Sequence, residues 1–268
     1  MIDIERAKEV FEKYTEMHKS EEDIEGFLLK KNHTYHVMQM SRFLAEKLNL
    51  SEEDIELAEL IGLLHDIGRF EELAMLKSFN NLSFDHAAHG VKVLFEDNWI
   101  REFLADEKYD LIIKKAIYNH NKLKIEDGLD ERALLHSKII RDSDKLDNFR
   151  VKIEYKPNRI FHNDINSRAE FENSEISENV YNSMCNRECV KTSDRKLPLD
   201  YYVVILGFMY DLYYRESYRI IKEKDYINRL IDKFEYRKAE AKARMEKIRL
   251  TLTEYVEIKL ADELLGEN

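Results

Sequence analysis

Apolar residues recur at helical spacing along most of this chain, which predicts a succession of helices and no sheet. The candidate helices cover residues 3–17, 21–31, 32–48, 52–64, 85–96, 98–105, 108–120 and 131–148. Ser51, with Asp54 three positions later, is typical of a helix N-terminus and begins a helix that runs through Leu64. The pattern therefore predicts an all-α fold over the first half of the chain.

The periodicity fades over residues 150–200, which contain both prolines and many Asn and Ser residues. We expect loops and short elements there. After Pro198 an apolar, aromatic stretch predicts a core helix, and residues 223–262 predict a charged helix with i,i+4 pairs. We therefore predict a helical core over residues 1–150, an irregular insertion or lid over 151–200, and C-terminal helices over 201–268 that pack on the same domain.

The composition supports helices and a packed core. The 268 residues include only 7 Gly and 2 Pro, where average usage would give roughly 19 and 13. So few turn-forming residues argue against an all-β sandwich or barrel. Hydrophobic residues make up 44% of the chain, which is enough for a core.

The charge balance and the apolar runs narrow the classes of partner. Lys and Arg number 43 against 54 Asp and Glu, so the net charge of −11 argues against binding of extended nucleic acid. The longest apolar run, near residues 203–210, is too short to cross a membrane, and the first residues do not resemble a signal peptide. Two cysteines four positions apart, Cys185 and Cys189, make neither a disulfide framework nor a zinc site. We expect a cytoplasmic protein that acts on a small molecule.

The strongest chemical signal is the pair His65-Asp66 at the end of an apolar helix. An ionised Asp is seldom buried without a partner, and a metal cation is one such partner. A structural His beside a helix-terminal Asp is the alternative, and the pair alone leaves it open.

Further His and Asp residues fall on the apolar faces of other predicted helices. On a helical wheel His33 lies within the stripe formed by Val37, Met40 and Leu44, whereas His36 lies at its edge. His33 is therefore the better candidate ligand of the two.

The same test favours three more residues. His86 borders the apolar side of its helix while His89 points towards solvent, His120 continues an apolar face, and Asp144 occupies an apolar-stripe position. Each alone is more often a core polar group than a ligand. Together they are typical of metal sites that helix bundles build from inward-facing side chains.

These segments resemble the HD-domain metal-dependent phosphohydrolase superfamily. The stretch HTYHVMQMSRFLAEKLNL beginning at His33, the motif LLHDIGRF around His65 and Asp66, HAAHG from His86, IYNHN around His120 and the Asp144 segment carry the resemblance, over about residues 30–150. It implies an HD-domain helical bundle, with the loop-rich insertion and the C-terminal helices added to it.

The resemblance also implies the metal ligands. One divalent ion would be held by His33, His65, Asp66 and Asp144, and His86 and His120 would add a second ion, with Asp66 bridging. The residue types suit Mn, Fe, Mg, Co or Zn and do not choose among them. Asn121 stands where the cyclic-di-GMP phosphodiesterases of the superfamily have a second His, and their Gly-Tyr-Pro motif is absent. Cyclic-di-GMP is therefore not the expected substrate.

The expected activity is metal-dependent hydrolysis of a small phosphoester, such as a nucleotide, by metal-activated water. Besides Asp66, the catalytic candidates are Arg69 and Lys145, as cations that bind phosphate. A helix C-cap for Arg69 and a solvated charge for Lys145 are the alternatives. Glu71 and Glu72 are candidate proton donors.

Other functions stay open at this point. Some two-iron relatives with the same six ligands use dioxygen, so a di-iron oxygenase is one alternative. A non-catalytic regulatory module that binds a metal or a ligand is another. The charged C-terminal helix is a candidate surface for homo-oligomers.

Overall fold

Every regular element is a helix in the computed structural model, which describes residues 2–19, 23–76, 84–156 and 167–262. The predicted all-α class is confirmed. The chain divides into two compact units, Met1–Asp147 and Asn148–Asn268. The helices of the first unit are α1 (Ile4–Met17), α2 (Ile24–Lys47), α3 (Glu52–Leu64), α4 (Gly68–Leu76), α5 (His86–Phe95), α6 (Ile100–Phe103), α7 (Asp110–Asn119) and α8 (Glu131–Glu154), the last of which continues into the second unit.

Helix α2 is longer than the sequence pattern predicted. The segments 21–31 and 32–48 were predicted as separate helices, but one helix of 24 residues runs over Ile24–Lys47. Asp23 caps its start by accepting from Gly26 N at 3.0 Å. No proline interrupts the chain near Asn32, so the helix continues through the change from charged to amphipathic sequence. Helix α4 was not predicted.

Side-chain caps fix where the helices of the first unit begin. Ser51 Oγ accepts from Asp54 N at 3.2 Å, which confirms the predicted start of α3. Asp85 caps α5 in the same way, through Ala88 N at 3.2 Å, and makes His86 the first residue of that helix.

Aromatic side chains form part of the core of the first unit. The Phe70 ring of α4 meets the rings of Phe11 and Phe27 edge-on, with centroid distances of 5.5 and 5.7 Å, and all three are fully buried. These contacts join α1, α2 and α4.

The second unit is also helical where it is described. After the end of α8 come α9 (Arg168–Glu172), α10 (Glu178–Cys185), α11 (Pro198–Gly207), α12 (Arg215–Glu223), α13 (Tyr226–Ile231) and α14 (Ala239–Ala261). The single charged helix predicted over 223–262 is therefore two helices, α13 and α14, with a turn between them. Residues 157–166 of the predicted insertion lie outside the described residues. The division at 151–200 and 201–268 stays a prediction.

Two interactions stabilise the second unit. The buried Asp200 carboxylate accepts from Ser177 N at 2.8 Å and from Lys196 N and Leu197 N at 2.9 and 2.8 Å, so it fixes the start of α11. Phe171 stacks on Phe234, with ring centroids 4.9 Å apart.

None of the helices in the described ranges combines the length and apolar character that a membrane crossing requires.

Charged side chains connect helices α3 and α8, and one of them, Asp54, makes the stability of the fold depend on pH. Asp54 Oδ1 lies 3.0 Å from His136 Nε2 and accepts from Arg132 Nε at 2.7 Å. The hydrogen bonds from His136, Ser51 and Arg132 outweigh partial burial and hold the pKa of Asp54 well below its usual value. A carboxyl with a lowered pKa stabilises the fold above its unfolded pKa, near 4, and loses that contribution as the pH falls towards the folded pKa.

We expect Asp54→Asn to lower the free energy of unfolding by about 1–2 kcal/mol at pH 7. The difference from wild type should shrink progressively below about pH 4. Urea denaturation from pH 7 down to pH 2 measures both. Glu53→Gln is the control, because Glu53 pairs with Arg132 at the exposed surface, where ion pairs contribute little. A difference that stays constant with pH would contradict the prediction.

Candidate metal centre

The structure brings together the six side chains that the sequence singled out as candidate ligands. They come from five parts of the first unit: α2 gives His33, the turn after α3 gives His65 and Asp66, α5 gives His86, the end of α7 gives His120, and α8 gives Asp144. They form two groups of three, each with its ligand atoms within 4.8 Å of one another.

The first group consists of His33, His65 and Asp144. Asp144 Oδ1 lies 3.1 Å from His33 Nε2 and 3.9 Å from His65 Nε2. Two atoms bound to one ion at about 2.1 Å stand about 3–3.5 Å apart. The 3.1 Å distance therefore fits a shared cation, and the 3.9 Å distance is slightly longer than that range.

The second group consists of Asp66, His86 and His120. Asp66 Oδ1 lies 3.5 Å from His86 Nε2 and 3.6 Å from His120 Nε2, and the two Nε2 atoms are 3.1 Å apart. The other oxygen of Asp66, Oδ2, lies 3.7 Å from His33 Nε2 and 3.5 Å from His65 Nε2. Asp66 therefore stands between the groups with one oxygen towards each.

Hydrogen bonds on the far side of three rings orient them for ligation. His65 Nδ1 donates to Gly62 O at 2.7 Å, and His120 Nδ1 donates to Ile117 O at 2.6 Å. His33 Nδ1 lies 2.7 Å from Asp147 Oδ2. Carbonyls only accept, so Nδ1 of His65 and of His120 carries a hydrogen, and Nε2 is the nitrogen of each ring that faces the centre and can bind a metal.

The residues present fit a bound metal. Within the described residues, the buried Nε2 atoms of His33 and His65 have no protein hydrogen bond that meets the usual geometry. Buried polar atoms without partners are rare, and a cation is the partner that imidazole nitrogens accept. Imidazole and carboxylate together suit the ions proposed from the sequence.

The charges of the neighbours favour the ligating forms of Asp66 and His86. Burial alone would raise the pKa of Asp66, but the Lys30 ammonium, with Nζ 2.7 Å from Oδ2, and the neighbouring imidazoles hold it well below its usual range. Burial and the Arg69 guanidinium hold the pKa of His86 well below its usual value. These pKa directions favour an ionised Asp66 and a neutral His86, which are the forms that bind a metal.

The neighbours of His33 affect its pKa differently from those of His86. Burial and Lys30 lower its pKa, but the carboxylates of Asp144 and Asp147 outweigh both and raise it. Its surroundings thus favour positive charge, which is consistent with a cation between His33 and Asp144.

Two glycines let the helix backbones approach closely enough to assemble these groups. A Cβ on Gly62 of α3 would lie 2.7 Å from Met38 Cα of α2, and one on Gly68 would lie 2.6 Å from His86 O and 2.7 Å from Gly90 N. Real Cβ atoms are not found so close to backbone atoms. His65 and Asp66 lie between these two contacts in the sequence.

Polar contacts tie the segment after α7 to its neighbours. Asn121 Nδ2 donates to Asp85 Oδ1 at 3.0 Å, so the residue after His120 holds the cap that precedes His86. The buried Arg141 guanidinium of α8 donates to Asn119 O at 2.8 Å, Lys122 O at 2.6 Å and Leu123 O at 3.3 Å. These contacts fix His120 against the helix that carries Asp144.

The predicted catalytic cations take different positions. Arg69 lies beside the centre, with Nε 3.8 Å from Asp66 Oδ1 and Nη1 2.7 Å from Glu72 Oε2. Lys145 is largely buried, and its Nζ donates to Arg141 O at 3.4 Å. Its phosphate-binding role stays a prediction.

Three other residues weighed in the sequence also have definite positions. His36 Nδ1 donates to Asn32 O on an exposed part of α2, 2.9 Å away. His89 Nε2 lies 2.8 Å from Glu71 Oε2. Glu71 also accepts a hydrogen bond from the Tyr14 hydroxyl, through Oε1 at 3.0 Å.

Lys30 was missed from the sequence, although its ammonium contacts Asp66. It lies three residues before His33, one helical turn away on the same face. The prediction ended one helix at residue 31 and began another at 32, which hid this relation. One continuous helical wheel over Ile24–Lys47 would have shown it.

The fold and the site define an all-α domain with two inward-facing groups of His and Asp side chains that could hold a metal ion. Residues 31–148 match the family model of the HD domain. This match confirms the predicted resemblance to HD domains, which bind divalent metals. No curated protein and no solved structure matches the chain.

The contact at Gly68 predicts opposite effects of two glycine substitutions. We expect Gly68→Ala to cost about 1–3 kcal/mol of unfolding free energy, because the new methyl group must displace the α5 backbone. Gly90→Ala is the matched control. Its Cβ would lie at ordinary contact distances, 3.4 Å from Ile67 Cγ2 and 3.5 Å from Gly68 N. Because Ala also favours the helix more than Gly does, we expect Gly90→Ala to stabilise the fold slightly.

Urea denaturation of both variants at pH 7 measures the difference. Equal loss of stability in the two variants would show that the close approach at Gly68 does not constrain the fold.

Proposed function

We propose that the protein is a metal-dependent phosphohydrolase that acts on a small phosphoester, such as a nucleotide. The observation that carries the proposal is the position of Asp66, with one carboxylate oxygen towards each ligand group. A carboxylate between two N/O ligand sets suits a pair of closely spaced metal ions, as in two-metal hydrolytic sites.

The ligands proposed for one ion are His33, His65, Asp66 and Asp144, and those for the second are Asp66, His86 and His120. Bound divalent ions supply Lewis acidity towards phosphate oxygens and lower the pKa of water towards neutrality. Asp147 positions His33 through Nδ1, at 2.7 Å.

Arg69 is proposed to bind the phosphate group of the substrate. Its side chain is 20% exposed, while that of Asp66, beside it, is 4% exposed, so Arg69 is the more accessible of the two to a substrate. The guanidinium fork suits two phosphate oxygens. A substrate held there keeps its phosphate next to Asp66.

Glu72 is proposed to position Arg69. It is fully buried, and Oε2 accepts from Arg69 Nη1 at 2.7 Å. Burial raises the pKa of Glu72 even though Arg69 acts in the opposite direction. The hydrogen bond between Glu72 and Arg69 fixes the direction of the guanidinium.

Metal content tests the two ligand groups separately. We expect close to two ions per chain after reconstitution with Mn²⁺, and about one in His33→Ala and in His86→Ala, because each removes a ligand of one group only. Elemental analysis of the dialysed protein measures this. His36→Ala is the control, since that ring lies outside the centre on the same helix as His33.

Activity is then measured on the loaded protein with aryl phosphomonoesters, aryl phosphodiesters and nucleotides. Hydrolysis that both ligand variants lose and His36→Ala keeps supports the proposal. Two bound irons with oxygen uptake and no hydrolysis would instead indicate an oxygenase. No metal in the folded wild type would leave a binding module.

Substitution of Arg69 tests the phosphate contact. We expect Arg69→Gln to raise KM for the phosphoester by about tenfold or more, and Arg69→Lys to recover part of that loss, because Lys keeps the charge without the fork. Steady-state kinetics and metal content are measured together. An unchanged KM in Arg69→Gln with full metal content would remove Arg69 from the proposed mechanism.

A further inference from the structure

Lys30 brings a second cation to the open side of the candidate metal centre. Its Nζ lies 2.7 Å from Asp66 Oδ2, and its side chain is 18% exposed. Arg69 stands near the other oxygen of the same carboxylate, with Nε 3.8 Å from Oδ1. The two cations therefore flank Asp66.

The exposed fractions show from where a ligand can approach. The His33, His65, Asp66 and His120 side chains are at most 4% exposed. Around them, Lys30 and Arg69 are 18% and 20% exposed, as is Asp144 at 20%, and His86 is 12% exposed. Among the described residues of the centre, the more exposed side chains therefore include one carboxylate, Asp144, and the two cations that flank Asp66, so an anion that reaches Asp66 meets both cations.

An ammonium group can serve Asp66 and an anion together. It carries three N–H donors on a flexible stem, so a contact with Oδ2 does not prevent another donor from meeting an incoming oxyanion. Thr34 Oγ1 donates to Lys30 O at 3.0 Å, one turn along α2. The backbone of Lys30 is thus held in the same helix that carries His33, which limits where the ammonium can move.

We propose that Lys30 is a phosphate-binding residue of this site, which it forms together with Arg69. The inference rests on the proposed function and deepens it, because it assigns recognition of the substrate's phosphate group to a residue outside the six ligands. A Lys that only balances the charge of Asp66 would not affect phosphate binding once the metal is bound.

The next residue in the chain provides a matched control. Lys31 has the same exposed fraction, 18%, but its ammonium pairs with Glu12 and lies 3.8 Å from Glu16 Oε1, on the α1 side of the helix. Lys31→Met removes the same charge from the same helix without touching the centre.

Titration calorimetry of the full chain tests the proposal in two stages. Mn²⁺ is titrated first, and inorganic phosphate is then titrated into the Mn²⁺-loaded protein. We expect Lys30→Met to bind Mn²⁺ in the wild-type stoichiometry and to bind phosphate about tenfold more weakly or worse. Lys31→Met should match wild type in both stages, and Lys30→Arg should recover most of the phosphate affinity.

Wild-type phosphate affinity in Lys30→Met overturns the proposal and leaves Lys30 as a counter-ion of Asp66. If Lys30→Met does not fold or loses Mn²⁺, a crystal structure of the wild-type complex with Mn²⁺ and phosphate decides. A distance of about 3 Å between Nζ and a phosphate oxygen supports the proposal, and one beyond about 5 Å overturns it.

The failure of this inference can be told apart from failure of the proposed function. Metal content and phosphoester hydrolysis of the wild type decide the function and use no Lys30 variant. A wild type that hydrolyses phosphoesters, with Lys30→Met binding phosphate normally, rejects only the role of Lys30. A wild type that binds neither Mn²⁺ nor phosphate rejects both.

Discussion

The whole centre depends on two places where helix backbones touch. At Gly62 the α3 backbone lies against α2, and at Gly68 the start of α4 lies against α5, with no room for a Cβ at either position. The two glycines are only six positions apart in the chain, and His65 and Asp66 lie between them. The two close approaches therefore bring residues of α2, the α3–α4 turn and α5 within ligand distance, and any side chain at either glycine would separate them.

Hydrophobic periodicity was enough to predict the inward faces of the helices. His33 and His120 continued apolar stripes and Asp144 interrupted one, and the structure brings all three to one centre. The periodicity gave a wrong prediction where one helix was analysed as two separate segments. Splitting α2 at residue 31 separated Lys30 from His33, although one turn of the same helix joins them.

Other features could not have been predicted, because they depend on contacts between distant parts of the chain. Arg141 holds three carbonyls that lie 18 to 22 residues before it, and Asn121 holds a cap 36 residues before it. A sequence pattern shows which face of a helix is buried but not which backbone atoms it meets. Asn121, which in the sequence was only a departure from the cyclic-di-GMP enzymes, has a structural partner in Asp85.

Two of the candidate ligands also close a helix. His65 follows the last residue of α3 and His120 the last residue of α7, and each bonds to a carbonyl of the final turn. Aligned peptide dipoles give a helix C-terminus roughly half a negative charge. Both ends lie at the centre, as do the positive N-terminal ends of α4 and α5, which begin at Gly68 and His86. The helix dipoles therefore offset one another there, and the attraction for a cation comes from the Asp66 and Asp144 carboxylates.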